Sequence, residues 1–196
     1  MSIKKIVTGL GLSMLLACGV ANAADFNKGM EAAQSGDFKT ALVEWTPLAE
    51  QGHASAQSNL GYMYAMGKGV PQNDKTAVKW YTKAAKQGSA GAQSNLASMY
   101  REGKGVPQND KTAVKWYTKA AKQGHPRAQH DLGLMYLNGI GVLTSIRRGY
   151  MWWNLASYNG NKLAGENKDK IAKEMTPADI SIAQDMSSRC LESNYT

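Results

Sequence analysis

The chain has 196 residues, 43% hydrophobic and 19% charged, with 23 Lys and Arg against 15 Asp and Glu for a net charge of +8. That length suits one domain. Its two cysteines, Cys18 and Cys190, exclude an internal disulfide framework once the first segment is removed, so an exported fold has to stand on its core.

Residues 1–23 read as a secretory signal peptide. Lys4 and Lys5 form a short basic head, and Ile6 to Ala17 is mostly apolar. Ala21-Asn22-Ala23 then offers small residues where a signal peptidase reads them, with cleavage before Ala24. The apolar run is too short for a comfortable membrane span. Leu15-Leu16-Ala17-Cys18 offers a competing route, a lipobox in which Cys18 is lipidated and becomes the first mature residue. The first 23 residues hold two lysines and no acid, so their removal takes the charge from +8 to +6. Such a protein meets an anionic membrane surface or an acidic protein more readily than nucleic acid, and no nucleic-acid partner is expected.

From Asp25 to about Gln34 the chain reads as a short helix. Asp37 caps a second one, with Ala41, Trp45, Leu48 and Ala49 as its apolar stripe and Pro47 inside it, which is expected to bend the helix near Val43. The segment 24–52 is a divergent first repeat. Beyond it the chain keeps a period of 36 residues, and the stretch KGVPQNDKTAVKWYTKAAKQG occurs twice unchanged, at 68–88 and 104–124. The units are 53–88, 89–124 and 125–160, each a helical hairpin. In the first, helix A is expected over Ala54–Met66, with Ala56, Leu60, Met63 and Tyr64 on one face and Gly67 as the left-handed stop. Gly69 and Pro71 shape the turn, and Asn73 caps helix B, whose buried stripe is expected to be Ala77, Trp80, Tyr81, Ala84 and Ala85. Truncation of Trp80 or Trp116 is then expected to cost several kcal/mol.

In the last unit Met151, Leu155 and Tyr158 replace lysines of the earlier ones, so something must cover them. Residues 161–196 supply two capping helices, Lys162 to Met175 and, after the Thr176-Pro177 start signal, Ala178 to about Cys190, with a partner or dimer surface at Met151, Trp152, Leu155 and Tyr158 as the alternative. Cys190 is expected to be buried, with a cross-link between two chains left open.

The pattern A56-Q57-x-x-L60-G61-x-x-Y64-x-x-G67-x-G69-V70-P71, followed by A77-x-x-W80-Y81-x-x-A84-A85-x-Q87-G88, resembles the Sel-one-like repeat, a TPR-like helical hairpin. The likeness covers about Phe26 to Leu191, with looser agreement at Leu143 and Gly149. It implies an all-α, right-handed α/α solenoid of TPR-like repeats closed by a C-terminal helix pair. It also implies an adaptor role in protein complexes, here an exported scaffold or regulator that binds a protein or peptide. A disulfide-rich branch of the family is associated with β-lactam chemistry, but it carries a cysteine pair in each repeat and no repeat here does. A structural homo-oligomer subunit is a further reading, and the oligomeric state stays open.

No residue set points to catalysis, a cofactor or a metal. His53, His125 and His130 lack a third ligand at suitable spacing, and Gly67-Lys68-Gly69 follows a helix instead of a strand, unlike a phosphate loop. Lys75, Lys79, Lys83 and Lys86, repeated at Lys111, Lys115, Lys119 and Lys122, read as a solvated outer face, with contact to an anionic membrane or an acidic partner as the functional alternative. The units 53–88 and 89–124 differ only at positions 53, 55, 61, 62, 65 and 66 and their counterparts, all in or just before helix A. If helix A lines a concave side, a partner would meet Tyr62, Ala65, Met66, Ser98, Arg101, Glu102, Leu134, Leu137 and Asn138. Neutral drift after duplication is the competing explanation.

Overall fold

A computed structural model describes residues 24–193; the expected signal peptide and Cys18 lie outside the described residues. Ten helices follow in order: α1 Phe26–Gln34, α2 Phe38–Glu50, α3 Ala54–Met66, α4 Asp74–Lys86, α5 Ala90–Glu102, α6 Asp110–Ala121, α7 Pro126–Asn138, α8 Ile146–Tyr158, α9 Lys162–Ala172 and α10 Pro177–Glu192. Among the described residues there is no strand.

Local chemistry sets the helix starts. At each one a side chain accepts a hydrogen bond from a backbone N–H of the first turn, which has no partner within the helix. Asp37, Asn73, Asn109, Ser145 and Thr176 do this for the even-numbered helices. Asp25, His53, Ser89, His125 and Asn161 do it for the odd-numbered ones. The odd helices (A) and even helices (B) pair as antiparallel hairpins from α1/α2 to α7/α8, and each B helix packs on the next A helix. The result is an α/α solenoid.

Within a hairpin a small residue of helix A receives an aromatic ring of helix B. A side chain at Gly29, Gly61 or Gly133 would run into Trp45, Tyr81 or Trp153 respectively. Ala97 holds the same place opposite the fully buried Tyr117. Tyr81 and Tyr117 are therefore the core aromatics, whereas Trp80 and Trp116 are only half-buried. One residue earlier on an α-helix is a turn of about 100°, which carries the indoles from the hairpin interior to its outer edge. There Lys83 and Lys119 lie over them at 4.4 and 4.6 Å. Truncating either Trp should accordingly cost less than the sequence suggested.

Between hairpins two contacts recur. The buried amides of Gln57, Gln93 and Gln129 donate to the carbonyls of Ala49, Ala85 and Ala121, at the end of the preceding B helix, at 2.9, 3.1 and 3.0 Å. Their own carbonyls accept from Gln87, Gln123 and Asn159 at 2.8, 2.8 and 2.9 Å. At the other end of the junction Gly69, Gly105 and Gly141, all with positive φ, press against the backbone of Phe38, Asp74 and Asp110 at the start of the preceding B helix. A Cβ there would strike main chain, which cannot swing away.

The array is closed by its own C-terminus. Met186, Cys190 and Leu191 of α10 cover Met151, Trp152 and Leu155 of α8. Ser187 donates to the Met151 carbonyl, and Arg147 pairs with Asp179. Ala164 is fully buried, as Ala56, Ala92 and Ala128 are, so α9 stands as a further A helix. Tyr158 does not share the cover: α10 crosses α8 from Tyr150 to Leu155, and Tyr158 beyond it is 73% exposed. One further expectation changes in detail. α9 stops at Ala172, and Met175 is buried beside Tyr150 and Ala183 instead. α2 runs unbroken through Pro47, and the Val43 carbonyl, deprived of its helical donor, sits at an exposed residue where water can serve it.

Replacing Gly105 by Ala combines a left-handed backbone with a main-chain collision and should cost about 3 kcal/mol or more. Gly88→Ala, strained but in open space, should cost about 1–2 kcal/mol. Urea midpoints of the two variants measure the difference. A pH effect follows from His125, whose Nδ1 accepts from Ala128 N–H at 3.2 Å and must be neutral to do so. Burial, and then the nearby Arg127 charge, hold its pKa below the usual 6.5. The unfolded chain then binds the proton first, so stability is full above pH 6.5 and falls as the pH drops below it. His125→Ser keeps the cap, as Ser89 does, and should flatten this part of the stability–pH curve.

Candidate functional site

The A helices form one side of the solenoid, where α3 packs directly against α5. A cleft of about 130 Å³ opens there, and five of the residues nominated from sequence line it: Tyr62, Ala65 and Met66 from α3, Ser98 and Glu102 from α5. Ala65, Tyr81, Asn95 and Met99 form its floor and sides, and Arg127 reaches it from the start of α7. Tyr62 and Met66 are 47% and 56% exposed, which is high for large apolar side chains. Tyr62 is also shared with an apolar pocket of about 290 Å³ lined by Met30, Ala33, Phe38, Asn59 and Met63. Tyr62 is the wall common to both, the α1 side apolar and the α5 and α7 side polar.

At the polar end Glu102 is the centre of a small network. The Ser98 hydroxyl donates to it at 2.7 Å, Lys104 pairs with it at 2.8 Å and Arg101 at 3.6 Å. The bond from Lys104 and then that from Ser98 hold its carboxyl below the usual range, so it stays ionised, and the same contact raises the pKa of Lys104. The tyrosine rings of the two central hairpins point their hydroxyls towards this region. Burial pushes both phenols far above their ordinary range. Asn95 faces Tyr81, while Ser98, Asp131, Arg101 and Arg127 surround Tyr117. The Tyr117 hydroxyl is fully buried and makes no hydrogen bond within the described chain. In the outer hairpins Trp replaces Tyr, and its N–H closes instead on a main-chain carbonyl: Trp45 on Phe26 at 3.2 Å and Trp153 on His130 at 3.1 Å.

Leu134, Leu137 and Asn138 are not part of this cleft. Leu134 and Leu137 are half-buried against Trp153, Ala156 and Ala164. Gly149, where the earlier units have alanine, makes room for Leu137, since a Cβ there would strike it. Asn138 donates to the Leu134 carbonyl at 2.9 Å. The groove is thus filled between α7 and α9. Sequence comparison also passed over Met30, Phe38 and Asn95. Asn59 and Asn95 are identical in the two central units, so a search for differences could not find them. Arg127 holds the varied position of Ser55 and Gly91, which was a usable signal.

The histidines have structural partners. His53 and His125 cap helices, His53 stacks on Phe26 with centroids 4.8 Å apart, and His130 stacks on Trp153 at 6.0 Å. Among the described residues no group of three His, Cys, Asp or Glu could hold a metal ion.

Residues 54–89, 90–125 and 126–161 each match the family described as Sel1 repeat. A search of curated proteins finds no match. Among solved structures the chain is similar to a Sel1 repeat protein from Oxalobacter formigenes, with 35% identity, a TM-score of 0.68 and coverage of 71% of this chain and 58% of that one. It is also similar to a protective antigen of uropathogenic Escherichia coli displaying an SLR fold, at 28% identity and a TM-score of 0.61, covering 85% of this chain and 44% of that one. The chain therefore spans about half the length of each.

Tyr117→Phe removes a buried hydroxyl that hydrogen-bonds to nothing in the described chain, so thermal unfolding should show no loss of stability and a gain of up to about 1 kcal/mol. Tyr117→Ala, which empties a fully buried site, should cost about 3–5 kcal/mol.

Proposed function

The chain belongs to the Sel1 repeat family, and we propose that it works as an exported scaffold or regulator that holds a protein or peptide segment in the groove on its A-helix side. Sel1 repeats commonly mediate protein–protein interaction. The observation that carries the reading is where two nearly identical units differ. Their B helices are unchanged, while Tyr62/Ser98 and Met66/Glu102 differ in the lining of the groove, Ala65 lines it where its counterpart Arg101 pairs with Glu102 beside it, and Ser55/Gly91 differs at the position from which Arg127 reaches it. The other two differences serve the frame: His53/Ser89 are caps, and Gly61/Ala97 seat the tyrosines.

The groove suits an amphipathic segment. An apolar side chain enters the pocket of Met30, Phe38, Tyr62 and Met63, and polar groups of the same segment meet Glu102 and Arg127. Export rests on the basic head, apolar run and Ala-Asn-Ala site of residues 1–23.

Photo-crosslinking side chains placed at Tyr62, at Ser98 and, as a contrast, at Lys79 on the B side test the assignment in cells. The expected result is the same protein adduct from the first two sites and none from Lys79, with the Ser98 adduct lost on Met66→Asp. Equal adducts from both sides, or an adduct indifferent to Met66→Asp, would overturn it.

A further inference from the structure

The opposite side of the solenoid carries a second surface. Lys75, Lys79, Lys83 and Lys86 on α4, Lys111, Lys115 and Lys119 on α6 and Lys122 at its C-cap are all exposed. The ion pairs of the described chain lie elsewhere, and none of these eight lysines is in one. Successive lysines four apart on a helix stand about 6 Å apart along its axis, so the two helices present a grid of like charge. Keeping such a grid works against helix stability, because like charges at that spacing repel.

Aromatic and apolar groups are set into the same field. Trp80 and Trp116 are half-buried beneath Lys83 and Lys119, and Tyr64, Val78 and Trp80 line a shallow groove between Lys79 and Lys83. Val43, 70% exposed, holds on α2 the repeat position of Lys79 and Lys115. At the other end Leu143, 91% exposed in the turn before α8, stands beside Lys111. Met151, the counterpart on α8, is covered by α10.

We infer that this B-helix face adsorbs to a bilayer of anionic phospholipid. The lysines lie among the headgroups, and Val43 and Leu143 enter the interface at the margins. Charge complementarity is the first reason. The second is the kind of charge. α4 and α6 contain no arginine, the side chain suited to forked recognition of a particular carboxylate, whereas lysine acts as a hydrated point charge. The third is repetition: two identical units offer one pattern twice, which matches a surface of many equivalent charges better than a partner of unique shape. Among the described residues no helix is long and apolar enough to cross a membrane, so the attachment is peripheral. It leaves the groove on the A side open and stands or falls separately from the function proposed for that groove.

Co-sedimentation of the mature chain with vesicles tests it. Binding is expected to phosphatidylcholine containing about one third phosphatidylglycerol, not to phosphatidylcholine alone, and is expected to vanish near 0.5 M salt, where screening acts within about 4–5 Å. Replacing Lys75, Lys79 and Lys115 by Ala should lower the partition coefficient about a hundredfold, at about fivefold per lysine. The same net change at Lys162 and Lys170 on α9 and Lys173 at its C-cap should lower it only a few fold. Neither triple variant should lower the melting temperature, and the first should raise it slightly as repulsion within α4 and α6 is relieved. Brominated lipid should quench tryptophan emission, and Trp80→Phe with Trp116→Phe should remove most of that quenching while binding persists. Equal loss from the two lysine sets would overturn the inference. So would capture of the chain by polyglutamate or nucleic acid through these lysines with no binding to vesicles.

Discussion

When one helical hairpin packs on the next, the carbonyls of Ala49, Ala85 and Ala121 at the end of a B helix, which accept from the backbone only a turn bond from the N–H of Gly52, Gly88 and Gly124, are shut away from water by the following A helix. Each has a second lone pair that water can then no longer reach. Gln57, Gln93 and Gln129 meet this demand at successive junctions, and each is held in place by an amide from the end of its own B helix. Glycine against main chain fixes the other end of each junction. Two fixed contacts per junction leave little freedom to rotate, so the mutual position of α3, α5 and α7, and with it the groove, follows from them.

The two sides of the solenoid are freed for different work by this frame. Tyr62 and Met66 on the A side are exposed and, like their counterparts Ser98 and Glu102, take no part in the glutamine or glycine contacts, so they can vary without loosening them. The B side carries half-buried indoles and lysines that are identical in the central units. The end hairpins depart from both patterns. Trp45 and Trp153 satisfy their N–H groups on local backbone, whereas Tyr81 lines the cleft and the Tyr117 hydroxyl stays buried. Leu134 and Leu137 fill the groove where the array closes, and α10 covers the apolar outer face of α8.

Much of this was legible from residues alone. Helix A at Ala54–Met66, its stop at Gly67 and the cap at Asn73 agree with the sequence reading. The comparison of sister units pointed to Tyr62, Met66, Ser98 and Glu102, which do share one cleft. The failures have physical causes. Trp80 was placed in the core because the largest apolar side chain on a stripe attracts the assignment, yet the interior had room for Tyr81 opposite Gly61. The sequence assigned Gln57 and Gln93 no part in the core, because a carboxamide gives no sign of the carbonyl it will meet. Tyr158 was grouped with Met151 and Leu155 by its position in the repeat, but α10 does not extend over it.

The sequence by itself determined the period of 36, the helix starts, the turns and the hairpin as the repeating unit. Those depend on contacts within a few residues along the chain, where caps, glycine and periodic apolar residues act. Only the tertiary structure decided which face of each helix became interior, why Gly105 must lack a side chain, and where the groove opens and closes. Those depend on residues some 30 positions apart, such as Gln57 and Gln87 or Gly105 and Asp74. Their meeting is set by how one hairpin rotates on the next, and a rotation between packed units is written in no single stretch of chain.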